Sequence, residues 1–189
     1  MNEIDFYDEF ANRFSLYLKS YLNEGYEIYY SQNKTLDNMV LEIESKIGTP
    51  IVDSKTYIPK LKLDILMAMV SPTKKVKLIL IEAKYLSQLS LQHYSQLVGY
   101  LQVAKNIDLG LLLLIKRGNT PNKLSNDFQE ILRLKKLPMD WIMDMKMLNE
   151  QYKFKTGIID YIPSGNIDWI DTREINGISS FEELVKLLE

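Results

Sequence analysis

Two carboxylates and a lysine with the spacing of a metal-dependent hydrolytic site lie near the middle of the sequence. Asp64 occurs early in the apolar run LKLDILMAMV, and Glu82 and Lys84 end the next run, VKLILIEAK. Side chains two positions apart on a strand point to the same face, so Glu82 and Lys84 are expected to lie side by side. Carboxylate oxygens are hard ligands that suit Mg²⁺. The pattern predicts a Mg²⁺ site, able to take Mn²⁺ instead, next to a cation.

These residue types have the chemistry needed to hydrolyse a phosphodiester. Asp64 and Glu82 would hold the metal ion together with the peptide carbonyl of Ala83, and water and phosphate oxygens would complete its coordination. The Lys84 ammonium would orient the attacking water, promote its deprotonation or stabilise the negative charge of the transition state. The residue types leave these three roles of the lysine open.

The central elements must bring these residues together. Hydrophobic periodicity predicts them in this order: strand Leu61–Val70, turn Ser71–Thr73, strand Val76–Lys84, a helix from Ser87 or Ser90 to about Lys105, and strand Leu109–Ile115. The first two strands are expected to pair antiparallel, which places Asp64 close to Glu82. The helix is expected to be a crossover connection that adds the last strand to the sheet in parallel.

The flanking segments alternate between helix and strand patterns. Before the central elements, the spacing predicts a helix over 4–22, a strand over Tyr26–Ser31, a helix over 36–47 and a weaker strand over Ile51–Tyr57. After them it predicts a helix over Leu124–Lys136, strands near Trp141–Met145, Tyr152–Tyr161 and Ile167–Ile170, and a helix over Phe181–Leu188 capped by Ser180. The whole chain, 1–189, is expected to form a single domain.

The central stretch resembles the PD-(D/E)xK nuclease superfamily. The matching residues are D-x17-E-x-K, formed by Asp64, Glu82 and Lys84, and a following Q-x3-Y formed by Gln96 and Tyr100. The second motif is similar to that of the RecB-like branch. The resemblance covers about residues 51–116. It implies an α/β restriction-endonuclease-like core over about 1–136, with a central mixed four-stranded sheet flanked by helices, and a C-terminal β/α extension over about 137–189.

The resemblance also implies roles for residues. Asp64, Glu82 and Lys84 would bind Mg²⁺ and activate water, while Gln96 and Tyr100 would contact the DNA backbone or brace the lysine. Two features depart from the family pattern. Leu63, and not proline, precedes Asp64. The acid that many members add from the first helix has two candidates here, Glu9 and Glu44, and the sequence does not choose between them.

Composition narrows the function further. The chain has no cysteine, which excludes a disulfide framework, thiolate zinc sites, cysteine-ligated iron–sulfur clusters and a cysteine nucleophile. Its net charge is −2, yet residues 51–136 carry 14 basic and 6 acidic side chains, whereas both flanking segments are net acidic. Local potential attracts a polyanion. DNA is therefore the expected partner, although the cluster Lys74, Lys75 and Lys77 would also simply solvate a turn.

The remaining expectations concern location and assembly. The start of the sequence lacks the basic and apolar regions of a signal peptide, and the run Leu109–Ile115 is too short to span a bilayer, so a cytoplasmic protein without membrane contact is expected. Cleavage of both DNA strands is simplest with two active sites, so a symmetric homodimer is expected.

Two other functions stay open at this point. One is a non-catalytic nucleic-acid-binding or interaction subunit that keeps the nuclease fold, and the other is an α/β interaction domain in which the motif is accidental. His93, the only histidine, cannot form a multi-histidine metal site alone. Its expected role is surface exposure or helix packing, with a phosphate contact as the lesser alternative. Lys153 and Lys155 would touch DNA or protect an edge strand.

Overall fold

A mixed sheet forms the centre of the protein. The computed structural model describes residues 2–53, 56–104, 106–118, 121–133, 155–173 and 177–189. Within these residues the sheet has six strands: β1 (Glu27–Thr35), β2 (Lys62–Val70), β3 (Val76–Leu86), β4 (Leu109–Lys116), β5 (Lys155–Tyr161) and β6 (Ile167–Ile170). They lie side by side in chain order.

Strand direction changes across the sheet. β1, β2 and β3 pair antiparallel, β3, β4 and β5 pair parallel, and β6 returns antiparallel to β5. The hairpin and the parallel addition of the fourth strand are therefore as predicted. The α/β class with a mixed sheet is confirmed.

The predicted number of four strands is wrong, because β5 and β6 continue the same sheet. Every residue of β5 after Lys155 is buried. A strand buried on both faces belongs inside a sheet, so it pairs directly with β4 instead of forming a separate extension.

Helices cover both faces of this sheet. A short 3₁₀ turn (Glu3–Phe6) leads into α1 (Tyr7–Tyr21), and the other helices are α2 (Leu36–Ile47), α3 (Leu91–Val103), α4 (Asn126–Arg133) and α5 (Phe181–Leu188). Buried side chains of α1 and α5 share one apolar cluster with one face of the sheet. Those of α2, α3 and α4 share a second cluster with the opposite face. Among the described residues, no helix has the length and apolar character needed to cross a membrane.

Most predicted elements near the site are present. α2 has the predicted bounds and ends at Gly48, whose φ of 80° is the left-handed conformation that glycine tolerates. The predicted strand over Ile51–Tyr57 is wrong, since its described residues, 51–53 and 56–57, are not in a strand. Of the later predictions, residues 134–136, Trp141–Met145 and 152–154 lie outside the described residues.

Gly110 allows α3 to pack directly on β4. A Cβ atom at this position would lie 2.6 Å from Leu101 Cδ1 and 3.0 Å from Leu97 Cδ1, both on α3. Any larger residue would therefore push the helix away from the sheet. Because α3 carries Gln96 and Tyr100, this contact sets the height of these residues above the sheet.

We predict that Gly110→Ala lowers the free energy of unfolding by about 1–3 kcal/mol, because the added methyl group overpacks the contact with α3. Gly99→Ala is the matched control, since a Cβ atom there meets nothing within 4 Å. In the helix interior it should raise stability by about 0.5–1 kcal/mol. Urea unfolding followed by circular dichroism measures both values, and equal effects would contradict the packing argument.

Candidate active site

Asp64 lies where the strand pairing becomes irregular. The last paired residues of β2 and β3 are Ile65 and Ile81, counted from the hairpin turn. Asp64 is the next residue of β2 in that direction and has no backbone pairing partner on β3. On the other side of β2, Asn33 has a left-handed φ of 51° opposite Asp64, and the pairing resumes one residue later. Asp64 Oδ2 accepts the backbone N–H of Ala83 at 2.8 Å. The carboxylate therefore makes the bond to β3 that the backbone of β2 no longer makes.

The Ala83 carbonyl faces the same gap. The N–H and C=O groups of a strand residue point to the same neighbouring strand, and the Ala83 N–H points to Asp64. The carbonyl oxygen therefore also faces β2, beyond the last paired residues. Its methyl side chain is buried in the cluster beneath α1. From this geometry we expect the Ala83 carbonyl oxygen, the predicted metal ligand, to face the same gap as Asp64.

Glu82 and Lys84 share the other face of β3, as predicted from their spacing. They lie on the same face of β3 as Leu78 and Leu80, which are buried beneath α2 and α3. Lys84 Nζ lies 2.6 Å from Glu82 Oε1, and the exposed fractions of the two side chains are 17% and 3%. Their strand neighbours on β4 are Leu114 and Leu112. A hydrogen-bonded ion pair is thus held at the border of the apolar core.

Burial and crowding of negative charge change the proton affinity of this pair. Burial first, and then the nearby charge of Asp64, raise the pKa of Glu82; the bond from Lys84 only partly offsets them, and the net result is a pKa of about 7. Burial also lowers the pKa of Lys84, but the bond to Glu82 and the charges of Glu82, Asp64 and Glu3 outweigh it and raise that pKa above its usual range. Lys84 is therefore a stable cation beside two carboxylates that repel each other.

A third acid, Glu3, comes from the 3₁₀ turn before α1. Its Oε2 atom accepts the Tyr85 N–H at 2.7 Å, and its Oε1 atom accepts the Tyr7 hydroxyl at 2.9 Å. Its charge also acts on Lys84 and on His93. Glu3 thus lies at the edge of the site, although the sequence analysis did not select it. The only sequence signal is an acidic residue directly before the predicted helix over 4–22, which is common.

The two acids considered from the sequence are engaged elsewhere. Glu9 Oε1 accepts the Tyr161 hydroxyl at 2.5 Å and the Ser164 N–H at 2.9 Å. Glu44 Oε1 accepts the N–H groups of Ile51 and Val52 at 2.8 and 3.4 Å. Each carboxylate therefore stabilises another segment of the chain, and neither forms a hydrogen bond to Asp64, Glu82 or Lys84 among the described residues.

Tyr7, the first residue of α1, interacts with the two acids Glu3 and Asp64. Its ring is buried in the cluster beneath α1. Burial, then the charge of Asp64 and a hydrogen bond to it, then the corresponding interactions with Glu3, raise the pKa of Tyr7 far above its usual range. Tyr7 therefore stays protonated and donates its single hydroxyl proton to Glu3, close to the charge of Asp64.

Gln96 and Tyr100 lie one turn apart on α3, as predicted, and bind each other. Gln96 Nε2 donates to the Tyr100 hydroxyl at 2.9 Å. Gln96 is exposed, and Tyr100 is partly buried against the cluster beneath the helix. Neither forms a hydrogen bond to Lys84 among the described residues. Of their two expected roles, the contact with DNA fits this exposed position better than bracing the lysine does.

The donor set fits a hard divalent cation. Among the described residues, no three carboxylate or imidazole side chains converge in a ready metal-binding group. Mg²⁺, however, commonly takes only one or two carboxylates and keeps several waters. Asp64 and Glu82 repel each other, which is expressed in the raised pKa of Glu82, and a cation between them would relieve that repulsion.

Comparison with protein-family models, with curated proteins and with solved structures found no match to this chain. The PD-(D/E)xK assignment stays a prediction. It rests on the chain's own residues and on the geometry described above.

We predict that stability falls with pH because of Glu82. Its carboxyl binds a proton more tightly in the folded protein than in the unfolded chain, where the pKa is 4.5. The stabilisation is thus fully present below that value and is lost as the pH rises through about 7. Relative to Glu82→Gln, the wild type should lose up to about 3 kcal/mol of unfolding free energy across this range.

Urea unfolding of both proteins in chelator, at several pH values, measures this difference. His93 is present in both proteins, so its titration cancels. Parallel pH profiles for the two proteins would contradict the assignment of the raised pKa to Glu82.

We also predict that Tyr7→Phe costs more stability than Tyr94→Phe. Both rings are buried, but the Tyr7 hydroxyl binds a carboxylate at 2.9 Å, whereas the Tyr94 hydroxyl is paired with Thr156 Oγ1 at 2.7 Å. Hydrogen bonds to charged groups contribute about 1.5–3 kcal/mol and neutral ones about 0.5–1.5 kcal/mol. Chemical denaturation at neutral pH compares the two variants. Equal losses of unfolding free energy would contradict the contribution of the hydrogen bond from Tyr7 to the Glu3 carboxylate.

Proposed function

We propose that this protein is a Mg²⁺-dependent nuclease that hydrolyses DNA phosphodiester bonds, an endonuclease of the PD-(D/E)xK type. One observation carries the proposal: Asp64, Glu82 and Lys84 converge where β2 separates from β3, with two mutually repelling carboxylates beside a charged lysine. The order of β1 to β4, with an antiparallel hairpin followed by a parallel strand, supports a restriction-endonuclease-like core.

Three oxygen donors would hold the metal ion: the carboxylates of Asp64 and Glu82 and the carbonyl of Ala83. When bound, Mg²⁺ supplies a lowered pKa for water and charge neutralisation at the phosphate. The Asp64 carboxylate is oriented by the hydrogen bond from the Ala83 N–H before any ligand arrives. Such preorganisation lowers the cost of assembling the site during the reaction.

Lys84 acts on the attacking water and on the phosphate. It is charged, and it is held at 2.6 Å by Glu82. In the bound state its ammonium can turn from Glu82 toward a water or a phosphate oxygen without leaving the site, because its side chain is largely buried. From that position it orients the water and stabilises the negative charge that develops on the phosphoryl oxygens.

The basic side chains around the site favour a polyanionic substrate. Lys62 begins β2, Lys116 ends β4 and Arg117 follows it. All three therefore lie toward the end of the strands that holds Asp64 and Lys84. Arg117 also stacks over the ring of Tyr85, with its guanidinium carbon 5.7 Å from the ring centroid. By contrast, Lys74 and Lys75 lie in the turn between β2 and β3, at the opposite end of these strands. The basic segment of the sequence is thus divided, and its site-side half is proposed to hold the DNA backbone.

We predict that wild-type protein cleaves DNA in Mg²⁺ and that Lys84→Met lowers the rate by at least about 100-fold, because the charge beside the reacting water is lost. Lys77→Met is the matched control. Lys77 lies on the same strand and is paired with a carboxylate, Asp108, at 3.0 Å, but it lies near the other end of β3. This control should cleave at the wild-type rate.

Gel assays on circular, linear, single-stranded and branched DNA and on RNA measure the activity and its substrate. The corresponding carboxylate pair is Asp64→Asn, expected to be inactive, and Asp108→Asn, expected to be active. Linearisation of plasmid without a nicked intermediate, together with a dimeric mass by light scattering, would support the expected homodimer. Tight DNA binding without cleavage of any substrate would overturn the nuclease in favour of a non-catalytic binding subunit.

A further inference from the structure

His93 lies at the start of α3, next to the proposed site. Ser90 is the N-cap residue of this helix, and its backbone N–H donates to His93 Nδ1 at 2.9 Å. The Ser90 hydroxyl lies 3.1 Å from the same nitrogen. His93 thus closes a capping box in which an imidazole takes the place of the usual carboxylate or amide.

This hydrogen bond fixes the tautomer of the ring. Because Nδ1 accepts the Ser90 N–H, the proton of the neutral imidazole is on Nε2. Burial first, and then the charge of Lys84, lower the pKa of His93, while Glu3 acts in the opposite direction. Among the described residues no hydrogen bond is made to Nε2. The ring therefore presents an N–H donor that the protein itself does not use.

The position of the ring relates it to the site. His93 lies within electrostatic range of both Lys84 and Glu3. Along α3 it is three and seven residues before Gln96 and Tyr100, so the three polar side chains form one stripe along the helix. That stripe borders the buried side of the helix, whose residues pack on the sheet face that carries Glu82 and Lys84.

We propose that His93 donates a hydrogen bond from Nε2 to a non-bridging oxygen of the phosphate that is cleaved. This inference rests on the proposed nuclease function. A phosphodiester in a buried site needs donors for its charged oxygens, and Lys84 divides its donors among Glu82, the attacking water and the phosphate. A neutral donor complements the lysine without placing a second cation beside it. His93 would then be a catalytic residue in addition to the three that the sequence motif contains.

The first test uses the fact that His93 is the only histidine. In ¹⁵N-labelled protein without a histidine tag, the imidazole nitrogens give one set of signals that needs no assignment. We expect a protonated Nε2 and an unprotonated Nδ1 in the free protein. Addition of a short DNA duplex in Ca²⁺, used in place of Mg²⁺ to prevent turnover, should shift the Nε2 signal. An unchanged spectrum with DNA bound would overturn the inference.

The second test separates the cap from the donor. His93→Gln keeps the cap, because Ser-x-x-Gln is itself a capping box, so it should fold with nearly wild-type stability. It places its amide differently from the imidazole N–H, and cleavage should fall by about 10- to 100-fold, the loss expected for one hydrogen bond to a charged oxygen. Wild-type cleavage by a stably folded His93→Gln would show that the residue is only a cap.

Phosphorothioate substrates identify the contacted atom. Sulfur in place of the contacted non-bridging oxygen weakens the hydrogen bond, so one diastereomer should be cleaved slowly by wild type, and this selectivity should shrink in His93→Gln. Mn²⁺ is used in this experiment because it tolerates sulfur better than Mg²⁺ does. Equal selectivity in both proteins would overturn the inference. If wild type cleaves nothing, the nuclease proposal fails, whereas a DNA-dependent Nε2 shift would still support the phosphate contact.

Discussion

The hydrogen bond from the Ala83 N–H to the Asp64 carboxylate, 2.8 Å long, links the sheet to the proposed chemistry. Two antiparallel strands normally satisfy their inner N–H and C=O groups through each other. Here the backbone pairing of β2 with β3 ends next to Asp64. The Asp64 carboxylate accepts the Ala83 N–H in place of a backbone carbonyl of β2. In the proposed function this separation would leave room for a metal ion and a phosphate, while the Asp64 carboxylate satisfies the Ala83 N–H. Fold and site therefore depend on the same atom.

The charges of the site are costly to bury, and their arrangement is better explained by function than by stability. Desolvation of a carboxylate and a lysine usually offsets much of their attraction. The pair formed by Lys77 on β3 and Asp108, just before β4, is more exposed, with 23% and 32% of the side chains accessible. At the site, in contrast, a second carboxylate is added, and the pKa of Glu82 rises to about 7. Perturbed groups of this kind concentrate at functional sites.

Local patterns were sufficient to predict the residues that lie on one element. The spacing of Glu82 and Lys84 predicts a shared strand face, and the run after Ser90 predicts the helix that carries Gln96 and Tyr100. Contacts between distant segments have no such signal. Glu3 reaches the site through Tyr85, 82 residues away along the chain, and Tyr7 through the packing of α1. The proposed role of His93 depends on which ring nitrogen accepts the Ser90 N–H. The sequence pattern does not reveal this.

Two expectations about the sheet were wrong for a similar reason: the strand over Ile51–Tyr57 and the limit of four strands. Ile51–Tyr57 has β-forming residues, but the N–H groups of Ile51 and Val52 bind the Glu44 carboxylate, so they are not available to a ladder. The four-stranded core follows from a resemblance that covers only about residues 51–116, so the strand near Tyr152–Tyr161 is expected in the C-terminal extension. The buried residues of β5 nevertheless pair with β4 along seven positions, and sequence separation does not reveal such pairing.

The position of β5 has a consequence for any shortened version of the protein. Without it, β4 would become an edge strand of eight residues, of which seven are now buried. That edge would expose LGLLLLIK, an uncharged apolar run up to its last residue, with its backbone groups open to pairing. Such an edge is a template for association between chains. Beyond its place in the core, β5 therefore protects the edge of β4 from association with other chains.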